Sequence, residues 1–485
     1  MSLKTVHKKY YIFNPSLKII PVESYQFNTK SDYNLKVLVN DECTNGGHKS
    51  NKKNIKVEKM INEMGFDWEP LSEPGQMKQM PYAATIIEAI EKNIWKVVEQ
   101  FSNEQCIPIH RISGGELYSS DQPEFRKQLL LISKNPELYG TNHYRVNIQG
   151  KKQILRFSSC TQKLSVSKKL NLNINNLPLG LFEISKSYRF EEEDELQLCK
   201  RVRSFHLPEL HLLTKSFHSS LVIAKATHQK ILKEIKKFDS NFELLCSVSD
   251  NFFRENKVFL FDLVKSINKP LLLAVYKGAS CEDGINLDVE YKVFDTAGLP
   301  VEIATFQIDD GTADSAFNIR YQKRNNRTKP VSTMHIVFPF SSLERSAYFF
   351  LDRAIKEEIE TGFKAFPFWV VPIQARVIAY NKSSLKYAIK LTEELNSLNF
   401  RTDLDDREMH YNVKKREKDL KWIPYIITIK RTQQGSYDLL VEIKQSGAKV
   451  MHWSNLIKEM ETNESRRVIV PRYFPMLLSQ RLTMK

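Results

Sequence analysis

Tyr188-Arg189-Phe190-Glu191-Glu192-Glu193-Asp194-Glu195-Leu196-Gln197-Leu198-Cys199-Lys200-Arg201-Val202-Arg203-Ser204-Phe205-His206-Leu207-Pro208-Glu209-Leu210-His211 reads as a hairpin. An Arg and a Glu leave one strand, an acidic loop turns, and two Arg and an aromatic ring return on the next. Guanidinium groups suit phosphates, and a ring with an Arg beside it suits a nucleotide base. On composition alone a solvated charged hairpin is the favoured reading. Its meaning depends on what surrounds it.

Outward from the hairpin, residues 144–213 keep a strand-like pattern, with runs at 153–157 and 180–184 separated by turns. Apolar spacing predicts a helix at 217–238, carried by Leu221, Ile223, Ala224, Ala226, Ile231, Leu232 and Ile235. A second helix is expected at 83–101 and a third from about Ser342. Strands are expected at 271–275, 289–294 and 302–308. Before residue 80 the chain shows β-like runs at 10–13 and 35–39 and a polar loop at 40–54. After Phe366-Pro367-Phe368-Trp369 the rhythm changes to strand 375–380, helix 384–398, strand 402–404, a basic helix at 409–421 and strand 425–430. That alternation predicts a separate α/β domain.

With 485 residues, 72 Lys+Arg and 57 Asp+Glu, the chain carries a formal charge of +15, which favours a polyanionic partner. At 41% hydrophobic and 27% charged it is globular, and a disordered or small disulfide-stapled protein is excluded. Its apolar runs, such as 270–276 and 366–373, fall short of the ~20 residues of a membrane span. No signal peptide is recognisable, so a cytoplasmic location is expected. The six cysteines lie far apart without a C-x-x-C pair, which suits a reducing compartment.

Arg189-x-Glu191, a loop, Arg201-x-Arg203-x-Phe205 and then His211 resemble motif 2 of class II aminoacyl-tRNA synthetases, in its threonyl version. The likeness continues in order. Arg156-Phe157-Ser158-Ser159-Cys160 resembles the strand that delivers that family's zinc-binding Cys, Thr305-Phe306-Gln307-Ile308-Asp309 its Thr-Val-Gln-Ile-Asp strand, and Ser342-Leu343-Glu344-Arg345 motif 3. Trp369-Val370-Val371-Pro372-Ile373-Gln374-Ala375-Arg376 resembles the entry to the anticodon-binding domain. The closing Pro471-Arg472-Tyr473-Phe474-Pro475 is similar to the archaeal branch.

The resemblance implies an α+β fold: an antiparallel-sheet class II catalytic domain, then a smaller α/β anticodon-binding domain. Its implied boundaries are a lead-in at 1–80, a catalytic domain at 81–365 and an anticodon-binding domain at 366–485. It implies ATP bound by Arg189, Glu191, Phe205, Gln307 and Arg345, with Arg189, Gln307 and Arg345 serving catalysis. Threonine would meet Arg156 and Glu209, Zn²⁺ would be held by Cys160, His211 and His335, and Mg²⁺ would accompany ATP. On the anticodon side Arg416 and Lys421 would touch tRNA-Thr. A homodimer is expected, and with no room seen for an editing domain, so is a separate editing protein acting in trans.

Several positions depart from the family pattern. Counting back without a gap from Glu344-Arg345 reaches Ile336 where the third zinc ligand belongs, with His335 one residue earlier. Glu209 stands for an Asp, Asp288 where a Lys is expected, Ser341 for the motif 3 Gly, and Ile112 for the motif 1 Pro. Two readings therefore stand: an active threonine–tRNA ligase, or a degenerate paralogue that keeps tRNA or regulatory surfaces.

Overall fold

The computed structural model describes residues 8–44, 54–119, 122, 143–238, 241–278, 281, 285–309, 319–323, 327–338, 341–364, 366–432, 437–444, 446–462 and 468–481. By its contacts the chain divides into two compact units. One holds the described residues of Met1–Lys53, Leu71–Gln76 and Lys96–Ser346, the other those of Asn54–Pro70, Met77–Trp95 and Ala347–Lys485. Among the described residues no helix is long and apolar enough to cross a membrane.

The first unit is built on a ten-stranded sheet in the order Ile19–Pro21, Lys8–Phe13, Leu271–Tyr276, Phe242–Ser249, Leu287–Phe294, Pro300–Asp309, Ser332–Val337, Ser204–Thr214, Leu179–Tyr188, Ile109–Arg111. Its pairings are antiparallel except Phe242–Ser249 with Leu271–Tyr276, and Ile109–Arg111 with Leu179–Tyr188. Leu287–Phe294 alternates buried and half-buried residues, the period of two that made it legible. Phe242–Ser249 is buried along its whole length, so it carries no alternation, and the sequence pattern does not single it out. The helix Phe217–Ile235 starts on a Ser216 cap and packs against Pro300–Asp309 and Ser332–Val337.

Three sequence expectations are corrected here. Residues 35–39 are helical, within Tyr33–Thr44, because Leu35, Leu38 and Val39 fall on one helix face and pack against Leu245, Leu272 and Ala274. This helix also takes in residues 40–44 of the expected polar loop, while 45–53 lie outside the described residues. Cys160 is delivered by a helix, Cys160–Lys168, that follows the strand Lys151–Leu155.

The second unit holds a five-stranded sheet in the order Thr402–Asp405, Ala375–Ala379, Tyr425–Arg431, Tyr437–Ile443, Gly447–Met451, parallel in its first two pairings. The helices Lys382–Ser397 and Trp453–Thr462 flank a core that includes Val377, Leu391, Leu395, Leu404, Ile427, Val441 and Leu456. Buried Arg376 makes a bidentate pair with Asp403 at 2.9 Å for both bonds. Arg401 donates to the carbonyls of Trp369 and Val371, fixing the segment that opens this sheet. The expected basic helix over 409–421 is not continuous: a short helix, Tyr411–Lys414, is followed by a 3-10 turn at Lys418–Lys421. Lys414 is drawn inward to the Asp405 carbonyl at 3.1 Å, which ends the solvated stripe a basic helix needs.

Candidate active site

Strand register places the chemistry in one row. His211 sits opposite His335, His335 opposite Gln307, Gln307 opposite Asp288, and Asp288 opposite Ser247. Directly opposed residues point to the same face of a sheet, so these side chains line one floor across five strands. Ile336 pairs with Leu210 and Phe306 and is fully buried on the other face, so it is excluded as a ligand by alternation alone. Cys160, from the start of its helix, meets His211 and His335 with the ligand atoms all within 4.8 Å of one another.

The hydrogen bonds run along the same row. His335 Nε2 lies 3.0 Å from Glu209 Oε1 and its Nδ1 3.1 Å from Gln307 Oε1. Gln307 Nε2 donates to Asp288 at 3.0 Å, and Thr305 Oγ1 donates to the other Asp288 oxygen at 2.8 Å. On the opposite side Lys163 pairs with Glu209 at 3.2 Å, both side chains almost wholly buried, and also bonds Ser159. Burial alone would push Glu209 up, but the Lys163 ammonium and the His335 ring hold its carboxyl well below the usual range. Burial, reinforced by Lys163 and His335, drives His211 well below its ordinary value, so its imidazole is neutral. Its Nδ1 is buried with no hydrogen-bond partner. Burial first and Glu290 second raise Asp288, so it brings less negative charge to the site than its identity suggests.

This donor set fits Zn²⁺: one thiol, one neutral imidazole with an unpartnered ring nitrogen, and a second imidazole, that of His335, which would exchange one of its two hydrogen bonds for the metal and keep the other to orient its ring. Three protein ligands leave a fourth position for a substrate.

A second group of expected residues gathers where Leu179–Tyr188 ends and Ser204–Thr214 begins. Arg189 lies over the Phe205 ring at 5.2 Å and donates to the Phe157 carbonyl at 3.3 Å. Glu191 is held by Arg201 at 2.8 Å. Arg345 donates to Ser341 Oγ at 3.3 Å and to the Lys200 carbonyl at 3.4 Å. Burial lowers Arg345, Glu302 opposes that, and Arg189 and Arg201 add to it, so three guanidinium groups share one region. Ser341, standing for a glycine, has φ +59°, the left-handed conformation glycine adopts without cost.

The segment 71–76 straps this hairpin down. Arg203 donates from its backbone to the Gly75 carbonyl at 2.8 Å and from its guanidinium to the Pro74 carbonyl at 3.0 Å. Gly75 has φ +90°, and a Cβ there would lie 2.7 Å from Arg203 Cγ, so glycine is required on both counts.

Arg156 has a carboxylate partner of its own. Its guanidinium is committed to Glu183 at 3.1 Å and to the Lys186 carbonyl at 2.7 Å. Glu183 stands directly across from Glu209, and its Oε2 is buried without a partner. Glu183 and Lys163 are the site residues the sequence reading missed. For Glu183 the available signal was a charge inside the apolar run Leu181-Phe182-Glu183-Ile184; Lys163 stands in the polar stretch Thr161-Gln162-Lys163-Leu164-Ser165, which offers none. Arg416 and Lys421 are exposed in the second unit, at the short helix and turn described above.

Relatives and solved structures resemble the chain in sequence and in fold. Residues 370–463 match the family described as anticodon binding domain. The threonine–tRNA ligase of Staphylothermus marinus is 31% identical over 99% of this chain and 75% of its own length. That of Caldivirga maquilingensis is 31% identical over 97% and 74%. The chain belongs to the threonine–tRNA ligase family. In fold it is similar to the RNA binding domain of threonyl-tRNA synthetase from Cryptosporidium parvum, with a TM-score of 0.69 at 16% identity over 84% of this chain and 98% of that one. A prolyl-tRNA synthetase from the same organism, complexed with halofuginone and AMPPNP, gives 0.61 at 14% identity over 85% and 78%. The class II fold and the aminoacyl-tRNA ligase class follow from this membership, and the antiparallel sheet is the one the hairpin motif implied.

Proposed function

We propose that the chain is an active threonine–tRNA ligase, which joins threonine to ATP as an adenylate and passes the threonyl group to tRNA-Thr. The observation that carries this reading is the convergence of Cys160, His211 and His335 beside Glu209 on the sheet floor. Residues 81–365 would form the catalytic domain and 366–485 the anticodon-binding domain, in a homodimer.

Cys160, His211 and His335 would hold a Zn²⁺, which as a Lewis acid supplies recognition of the amino and hydroxyl groups of threonine. Glu209 and the unpartnered oxygen of Glu183 offer negative charge to the substrate ammonium. Phe205 offers its ring to adenine, while Arg189 and Arg345 bring positive charge to the phosphates. When the threonine carboxylate attacks the α-phosphorus, charge grows on the phosphate oxygens, and pre-placed guanidinium groups favour that state over the ground state. Mg²⁺ would accompany ATP.

Serine keeps the hydroxyl and lacks one methyl, worth only about 1–3 kcal/mol, so accurate charging calls for a hydrolytic editing activity. The degenerate-paralogue reading is favoured by one feature: Lys163 already neutralises Glu209, the carboxylate offered to the substrate ammonium. Pyrophosphate exchange into ATP separates the two. Threonine-dependent exchange by the purified protein supports the ligase, and its absence in zinc-loaded protein sinks it.

A further inference from the structure

A basic surface lies at the end of the site strands away from the nucleotide residues. The hairpin formed by Arg320–Gln322 and Thr328–Pro330 connects the strand of Gln307 to the strand of His335. Its inner residues Ile319 and Tyr321 pack with Leu164, Leu172, Leu179, Leu213 and Val331 in one apolar cluster, which fixes it to the sheet. Two other segments are tied to its backbone. Gln322 N donates to the Leu172 carbonyl at 2.8 Å, and Tyr321 Oη donates to the Lys215 carbonyl at 3.1 Å.

The three segments share one compositional property. Residues 160–182, 210–233 and 319–343 contain no Asp or Glu. Their exposed cations among the described residues include Lys168, Lys169 and Lys215 beside the hairpin and Arg320, Arg327 and Lys329 on it. Lys329 first, then desolvation and Arg327, lower Lys323, so like charges neighbour one another along this hairpin. Holding cations together costs free energy that an anionic partner returns. Among the described residues the exposed hairpin positions are Arg320, Gln322, Arg327, Thr328, Lys329 and Pro330, with no large apolar side chain among them. A protein partner would need an apolar core to its interface, whereas a phosphate backbone needs only cations and polar groups.

We infer that this surface, formed by residues 320–323 and 327–330 with Lys168, Lys169 and Lys215, is a docking site for an RNA phosphate backbone, separate from the anticodon-binding domain. The inference rests on the ligase reading for the identity of the RNA: the acceptor arm, whose 3′ end must reach the His211–His335 floor that this hairpin borders. The contact is one of charge, so it carries strong salt dependence and no base preference.

The test uses the full chain and an acceptor-stem minihelix of tRNA-Thr that lacks the anticodon arm. In the triple variant Lys323→Gln/Arg327→Gln/Lys329→Gln, minihelix affinity at 0.1 M KCl should fall tenfold or more. The slope of log Kd against log salt should flatten by roughly 2–3. Threonine-dependent pyrophosphate exchange, which involves no RNA, should be unchanged. Exchange therefore reports on the ligase reading and minihelix binding on the surface, so the two fail separately. Unchanged minihelix affinity and slope, or weakened binding of poly-L-glutamate alone, overturns the inference.

Discussion

Lys163 and Glu209 show how much one buried pair sets here. Each is charged, nearly inaccessible and within 3.2 Å of the other. Removing one partner strands the other charge in low dielectric, so Lys163→Met should cost about 3–5 kcal/mol in chemical denaturation. The double change Lys163→Met/Glu209→Gln should recover much of that, and a double variant as unstable as the single one would show that the pair is not coupled. Ser341 makes the opposite case. Its left-handed backbone is strained for a side chain, while its hydroxyl accepts from Arg345. Ser341→Gly should therefore leave stability unchanged or raise it by about 1 kcal/mol, while raising the KM for ATP several-fold. A KM that stays put would remove the hydroxyl from the account. The identities of Cys160, His211 and His335 were legible in sequence only through family likeness. What sequence counting left open, Ile336 against His335, was decided by strand alternation, which a linear count across residues 338–341 has no means to register.

At the scale of elements, the helix Phe217–Ile235 is the best-read feature and the one that carries a pH response. Its His228 bonds Tyr291 Oη through Nδ1 at 2.5 Å and Ser266 Oγ through Nε2 at 2.6 Å, joining sheet, helix and the neighbouring Lys257–Ile267. Burial lowers it from its ordinary 6.5 to about 4. Between those values the unfolded chain binds a proton that the folded chain refuses, so stability falls as pH drops through that window and is complete above it. The span corresponds to about 3 kcal/mol. In His228→Phe the slope of stability against pH between 6.5 and 4 should flatten; an unaltered slope would place the acid sensitivity elsewhere. Elements read wrongly failed for physical reasons. Residues 35–39 are β-branched and apolar enough for a strand, yet burial against Leu272 and Ala274 favours a helix face. The strand Phe242–Ser249 is covered on both faces and so lost its pattern.

Across the whole molecule, the excess of positive charge divides into separate tasks. Arg189, Arg201 and Arg345 crowd one end of the site strands, the paired strands Arg320–Gln322 and Thr328–Pro330 follow from the other, and Arg416 and Lys421 belong to the second unit. Net charge predicted a polyanion without locating any of these. Arg416→Ala/Lys421→Ala should raise the KM for tRNA in aminoacylation at least threefold and leave pyrophosphate exchange intact. Equal loss in both assays would argue for a folding defect instead of lost tRNA contact. The central claim is that the three-ligand floor selects threonine through its hydroxyl. It is tested most directly by pyrophosphate exchange with threonine, serine and valine, before and after removal and return of zinc. The account predicts exchange with threonine and measurable exchange with serine, with valine at least a hundredfold weaker, all lost on chelation and restored by Zn²⁺. Exchange that persists without zinc, or accepts valine as readily as threonine, would contradict it.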